Sequence, residues 1–122
     1  MREVIIFACK FQEVFLHFKK YLGRGIDMRE EVTDRFGNAI YLTDERWEHI
    51  VEEHSELEEY RTEVLSAIRS GKRRRDTFHP EKFYYKKRMQ FLIDGLDHME
   101  VVVAFRWQID KPNNFVVTAY PK

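Results

Sequence analysis

The sequence predicts an α+β fold, with helices covering one face of a sheet. Three observations point there. Apolar residues recur at helical spacing up to about position 70. From Phe83 onward the chain turns to aromatic and β-branched runs. Within those runs the odd positions of 99–107 (Met99, Val101, Val103, Phe105, Trp107) and of 115–119 (Phe115, Val117, Ala119) are all apolar. Side chains alternate across a strand, so these positions make one continuous face for the helices to bury.

Val4, Phe7, Ala8, Phe11, Phe15, Phe18 and Leu22 form a stripe that predicts a helix over 3–22, and Gly23 is a natural stop. It reads as a packing or oligomerisation helix, with a homodimer contact as its candidate use. Met28 offers an alternative start, which would make 1–27 a helical extension on a 28–122 core within one 1–122 domain. The segment 32–42 predicts a hairpin or a turn into a strand, bent at Gly37-Asn38.

Thr43 then caps a helix whose first turn holds Asp44 and Glu45, where the helix dipole favours acids. Trp47, Ile50, Val51 and His54 lie on its buried stripe, and His49 is rotated about 140° from His54. That helix is expected to end at His54. Ser55-x-x-Glu58 has the form of a capping box, so a second helix should start there, bury Leu57, Tyr60, Val64, Leu65 and Ile68, and stop near Gly71. Lys72-Arg73-Arg74-Arg75 reads as a basic connector. Strands are expected at 83–93, closed by Asp94-Gly95, at 99–107 and at 115–120, the last reached through a loop around Lys111-Pro112-Asn113-Asn114.

Net charge is zero, but residues 44–63 hold nine acids against Arg46 and Arg61, and residues 69–88 hold nine bases against Asp76 and Glu81. Such blocks are either two solvated faces or a polyanion site with a repulsive flank. Cys9 is alone, which excludes a disulfide framework and a cysteine zinc site. No apolar run is long enough to cross a bilayer, and Met1-Arg2-Glu3 does not open a signal peptide, so a cytoplasmic location is expected. His49 and His54 are five apart, not the three or four that put two metal ligands on one helical face, and there is no glycine-rich phosphate loop; neither a metal nor a cofactor is expected.

Metal-independent cleavage of RNA needs a base for the 2′-hydroxyl proton, an acid for the leaving 5′-oxygen, and cations for the crowded phosphorane. Histidine suits the proton transfers and arginine the phosphate. The chain offers His49, His54, His79 and His98, with Arg73 to Arg75, Lys86 to Arg88 and Arg106, while Tyr84, Tyr85 and Tyr120 can stack on bases. If the last two strands match their apolar faces, Arg106 and Thr118 share the opposite one.

The segments Arg35-Phe36-Gly37, Ile40-Tyr41-Leu42-Thr43, Trp47-x-His49-Ile50-x-x-x-His54-x-Glu56-Leu57, Phe83-Tyr84-Tyr85, Val101-Val102-Val103-Ala104-Phe105 and Phe115-Val116-Val117-Thr118-Ala119-Tyr120-Pro121 together resemble small prokaryotic and phage-associated domains of the barnase/EndoU/colicin/RelE-like (BECR) nuclease superfamily. The likeness covers roughly 32–121. It implies N-terminal helices on one face of a curved antiparallel sheet of about four strands, and metal-independent endoribonuclease activity. It also implies, often, a toxin role opposed by an antitoxin protein. The residue after the second histidine, commonly proline in such domains, is Ser55 here.

On these grounds His49, His54, Arg106 and Thr118 are the expected catalytic set, Arg75, Tyr85, Lys87 and Tyr120 the expected substrate-binding set, and RNA the expected partner. The competing expectation is a non-catalytic nucleic-acid- or protein-binding module on the same fold. An antitoxin-like partner, using helix 3–22 as its contact, is a third.

Overall fold

A computed structural model of the chain describes residues 28–93 and 95–122. The expected helix at 3–22, and with it Cys9 and the homodimer contact, lies outside the described residues. In chain order the described elements are β1 (Arg29–Thr33), β2 (Ala39–Thr43), α1 (Asp44–Glu53), a 3-10 turn (Ser55–Leu57), α2 (Arg61–Ser70), β3 (Lys72–Arg75), β4 (Lys82–Ile93), β5 (Leu96–Gln108) and β6 (Lys111–Pro121). The strands form one sheet in the order β1-β2-β6-β5-β4-β3.

This corrects the expected architecture. The sheet has six strands rather than about four, and it is mixed, because β2 runs parallel to β6. The described helices do not precede the sheet but lie between its second and third strands. The strand that periodicity missed is β3. Four consecutive long cations show no apolar alternation, yet an edge strand needs hydrogen bonds on one side only, and its side chains can stay in water. Lys72–Arg75 pairs antiparallel with β4 on that basis.

Local signals worked where local chemistry decides. Thr43 is the N-cap of α1, its Oγ1 accepting from the Arg46 amide at 3.0 Å. The helix closes at His54, whose amide donates to the Ile50 carbonyl at 2.8 Å. The expected capping box does not form. Ser55–Leu57 makes a tight 3-10 turn that drives Leu57 fully into the core, and α2 begins only at Arg61. Arg61 ties that start to the neighbouring elements through Glu30 at 2.6 Å and Asp44 at 2.8 Å.

The core lies between the helices and one face of the sheet. Ile40 and Leu42, Ile50, Val64 and Ile68, Met99, Val101, Val103, Val116 and Ala119 fill it. On β5 the odd positions point inward as expected, up to Phe105; Trp107 is 74% exposed. On β6 they do not. A register shift between Val102 and Val103 pairs Val102 with Thr118 but Val103 with Val116, so one extra residue sits in β6. That bulge reverses the phase of the strand. Val116 therefore joins the core, and Phe115, opposite Ala104, goes to the other face. The expected loop at 111–114 is also strand: β5 and β6 are joined by a tight turn at Ile109-Asp110, with Ile109 at φ 59°. Among the described residues no helix is long and apolar enough to cross a membrane.

Candidate functional site

The face of the sheet turned away from the helices carries three rows of side chains, fixed by strand register. Lys72, Lys86, Glu100 and Tyr120 stand in line across β3, β4, β5 and β6. Arg74, Tyr84, Val102 and Thr118 make the next row, two residues along each strand, about 6.6 Å away. On the other side Arg88 pairs with His98, and His98 exchanges backbone hydrogen bonds with Lys122 at 3.1 and 2.8 Å.

Glu100 is the centre of these rows. It is the one charge in the apolar run Met99-Glu100-Val101-Val102-Val103, and it is only 1% exposed. Its Oε1 accepts from the Tyr120 hydroxyl at 2.6 Å and lies 3.4 Å from Lys122 Nζ and 3.9 Å from the Arg74 guanidinium. Its Oε2 is buried and has no hydrogen-bond partner among the described residues. Burial, and then the bond to Glu100, push the Tyr120 phenol well above its ordinary value, so this hydroxyl stays protonated and acts as a donor. Tyr84 lies under Arg74, whose guanidinium carbon is 4.1 Å from the ring centroid, and its hydroxyl donates to Asp76 at 2.7 Å. That bond, with the amides of Phe78 and His79, holds the Asp76 carboxyl down at about 2.

His54 closes the cluster. As the C-cap of α1 it is carried to the edge of β6, where its ring centroid lies 6.1 Å from that of Tyr120. Its side chain is 31% exposed, open enough to meet a substrate, and Nδ1 is 3.5 Å from Glu56. His54, Tyr120, Thr118, Arg74 and Lys122 thus occupy one end of the open face.

The remaining expected residues are placed elsewhere. Arg106 is on the open face, but six residues along β5 from Glu100, about 20 Å away, over Phe115 and opposite Asn113. His49 projects from α1 into solvent, 3.7 Å from Glu52. Arg75, Tyr85 and Lys87 lie on the helix side. Arg75 sits over Phe83, and Lys87 donates to Ser66 Oγ at 2.8 Å. Tyr85 is fully buried and donates to Asp34 at 2.5 Å. The residues in their stead on the open face, Arg74, Tyr84 and Lys86, are the immediate sequence neighbours. Glu100 and Lys122 had not been singled out. The signal for Glu100 was a lone carboxylate inside a valine run.

Among the described residues no three of His, Cys, Asp or Glu are grouped so as to hold a metal ion. In comparisons with known proteins the chain matches no family model, no curated protein and no solved structure.

Proposed function

We propose that the chain is a small metal-independent endoribonuclease of the BECR type, acting in the cytoplasm, with the toxin of a toxin–antitoxin pair as its natural setting. The observation that carries this reading is the cluster itself: an imidazole about a third exposed beside a phenol locked as a donor, with a guanidinium and an ammonium over the same carboxylate.

The chemistry is displacement at phosphorus by the neighbouring 2′-oxygen. His54 takes the 2′-hydroxyl proton as the new P–O bond forms, and the imidazolium returns that proton to the 5′-oxygen as the old bond breaks. The proton count closes on one residue, and the product is a 2′,3′-cyclic phosphate. Arg74 and Lys122 neutralise the charge that builds on the non-bridging oxygens. Thr118 hydrogen-bonds the phosphate. Glu100 is a positioning residue, orienting Tyr120 and drawing both cations to the place where phosphate would sit.

A second reading has its own support. Arg106 lies six residues along β5 from Glu100, about 20 Å away, which leaves much of the cationic surface beyond reach of any one scissile bond, as expected of a module that binds RNA without cutting it. Incubating a mixed-sequence RNA with the protein in EDTA decides between them. Cleavage is expected to persist, to fall about 10²- to 10⁴-fold in His54→Ala, and to change little in Arg106→Ala. Undiminished cleavage in His54→Ala would overturn the nuclease reading, and binding without any cleavage would favour the second.

A further inference from the structure

Beside the cluster, where the end of α2 meets β3 and β4, the surface opens into a cavity of about 510 Å³. Arg35, Lys72, Lys86, Lys87, Arg88 and His98 line it together with Ser70 and Gly71. We infer that this cavity holds a backbone phosphate of single-stranded RNA whose neighbouring phosphates lie across the His54 cluster; the inference rests on the RNA reading above and names a second point of attachment for the same strand.

Five of the lining side chains are permanent cations. One carboxylate, Asp97, stands at the rim, 2.7 Å from His98 and 3.4 Å from Arg88. Lys72 and Lys86 make no ion pair with any described residue. They are also direct partners across the β3–β4 ladder. Like charges directly opposite one another destabilise a sheet, so the fold accepts a repulsion that an anion between the two ammonium groups would remove. The remaining cations leave the cavity positive, since Lys87 bonds to the neutral Ser66 hydroxyl and Arg35 to the Ser70 carbonyl. That second contact also covers a carbonyl at the negative end of α2, which would otherwise repel an anion.

Shape agrees with charge. A Cβ at Gly71 would stand 2.4 Å from the Ala67 carbonyl oxygen and 2.9 Å from that of Lys86, so helix and strand meet here with no side chain between them. The row Lys72, Lys86, Glu100, Tyr120 then runs from the cavity to the ring beside His54, three strand spacings or about 14 Å. An extended strand lies along that row with Tyr84 and Tyr120 as its aromatic neighbours, the combination of cationic track and ring that suits single strands.

The experiment is fluorescence anisotropy with a labelled single-stranded RNA fully 2′-O-methylated, so that binding is read without cleavage. The Lys72→Gln/Lys86→Gln double variant is expected to bind at least ~10-fold more weakly at 0.1 M salt, and to lose about 1.4 from the slope of log K against log salt, the value for two lost single-strand contacts. Lys111→Gln, at the far hairpin, is the control. Without RNA the double variant should melt higher than the parent, because the repulsion is gone, and this shows that it is folded. Binding and slope equal to those of Lys111→Gln would overturn the inference, as would inorganic phosphate protecting the cavity while the RNA does not. Cleavage that needs His54 while the double variant binds normally sinks this inference and spares the nuclease reading. Loss of binding in the double variant of a protein that never cleaves RNA does the reverse.

Discussion

The two faces of the sheet each hold a carboxylate bonded to a tyrosine, and the two pairs differ in what surrounds them. On the helix side Tyr85 donates to Asp34 at 2.5 Å; on the open side Tyr120 donates to Glu100 at 2.6 Å. Asp34 is saturated. It also accepts from the amides of Phe36 at 2.9 Å and Asn38 at 2.8 Å and from the Asn38 side chain at 3.1 Å. Its nearest cation, Arg73, is walled in by the rings of Phe36 and Phe83 at 4.0 and 4.6 Å. Glu100 keeps an oxygen with no partner among the described residues, and its cations Arg74 and Lys122 are about half exposed, at 58% and 49%. The same pair of groups is structural when every lone pair is answered, and a site when the charges around it still face water.

That contrast can be broken most severely at Asp34. Asp34→Ala strands the Tyr85 hydroxyl, two amides and Arg73 in the interior. It is expected to cost about 3–5 kcal/mol in urea unfolding, while the folded fraction still binds RNA. Gly71→Ala comes next, at about 1–3 kcal/mol, since two carbonyl oxygens must move to admit a methyl. Glu100→Gln should cost less, about 1 kcal/mol, and should tighten RNA binding several-fold by removing the negative charge that Arg74 and Lys122 share, as anisotropy would show. A large stability loss with no gain in affinity would place Glu100 with Asp34 as a purely structural group.

The smallest effect is in acid. Burial acts to raise the pKa of Asp34, but its bonds from Tyr85, Asn38 and Phe36 outweigh burial and leave it below the ordinary 3.8. A depressed carboxylate contributes stability that is complete above the unfolded value and is lost as pH falls through the folded one. Asp76, held at about 2, follows the same sign. Melting temperature should therefore be level from pH 7 to about 5 and decline between about 4 and 2. Asp76→Asn, at an exposed turn, should remove only a slight part of that decline.

How much of this was legible in the sequence follows from how local each cause is. The turn at Gly37-Asn38, the Thr43 cap, the end of α1 at His54 and the stop at Gly71 each depend on a few adjacent residues, and each was readable. Strand phase was not. Arg74 and Arg75, Tyr84 and Tyr85, and Lys86 and Lys87 are neighbours that face opposite ways, and only the register of β3 against β4 decides which of each pair meets the site. The extra residue in β6 took Phe115 to the open face by the same rule. The parallel contact of Tyr41 with Phe115 joins segments more than seventy residues apart, and no window along the chain encodes it.

The turn that joins β5 to β6 has a practical use. Ile109 is 90% exposed and holds a left-handed backbone that branched residues adopt at a cost. Asparagine or glycine there relaxes the tip. A dye or affinity handle grafted at that corner would stand well clear of Lys72, Arg74, Lys86 and Lys122, and would let the protein be immobilised or watched while its working surface is left untouched.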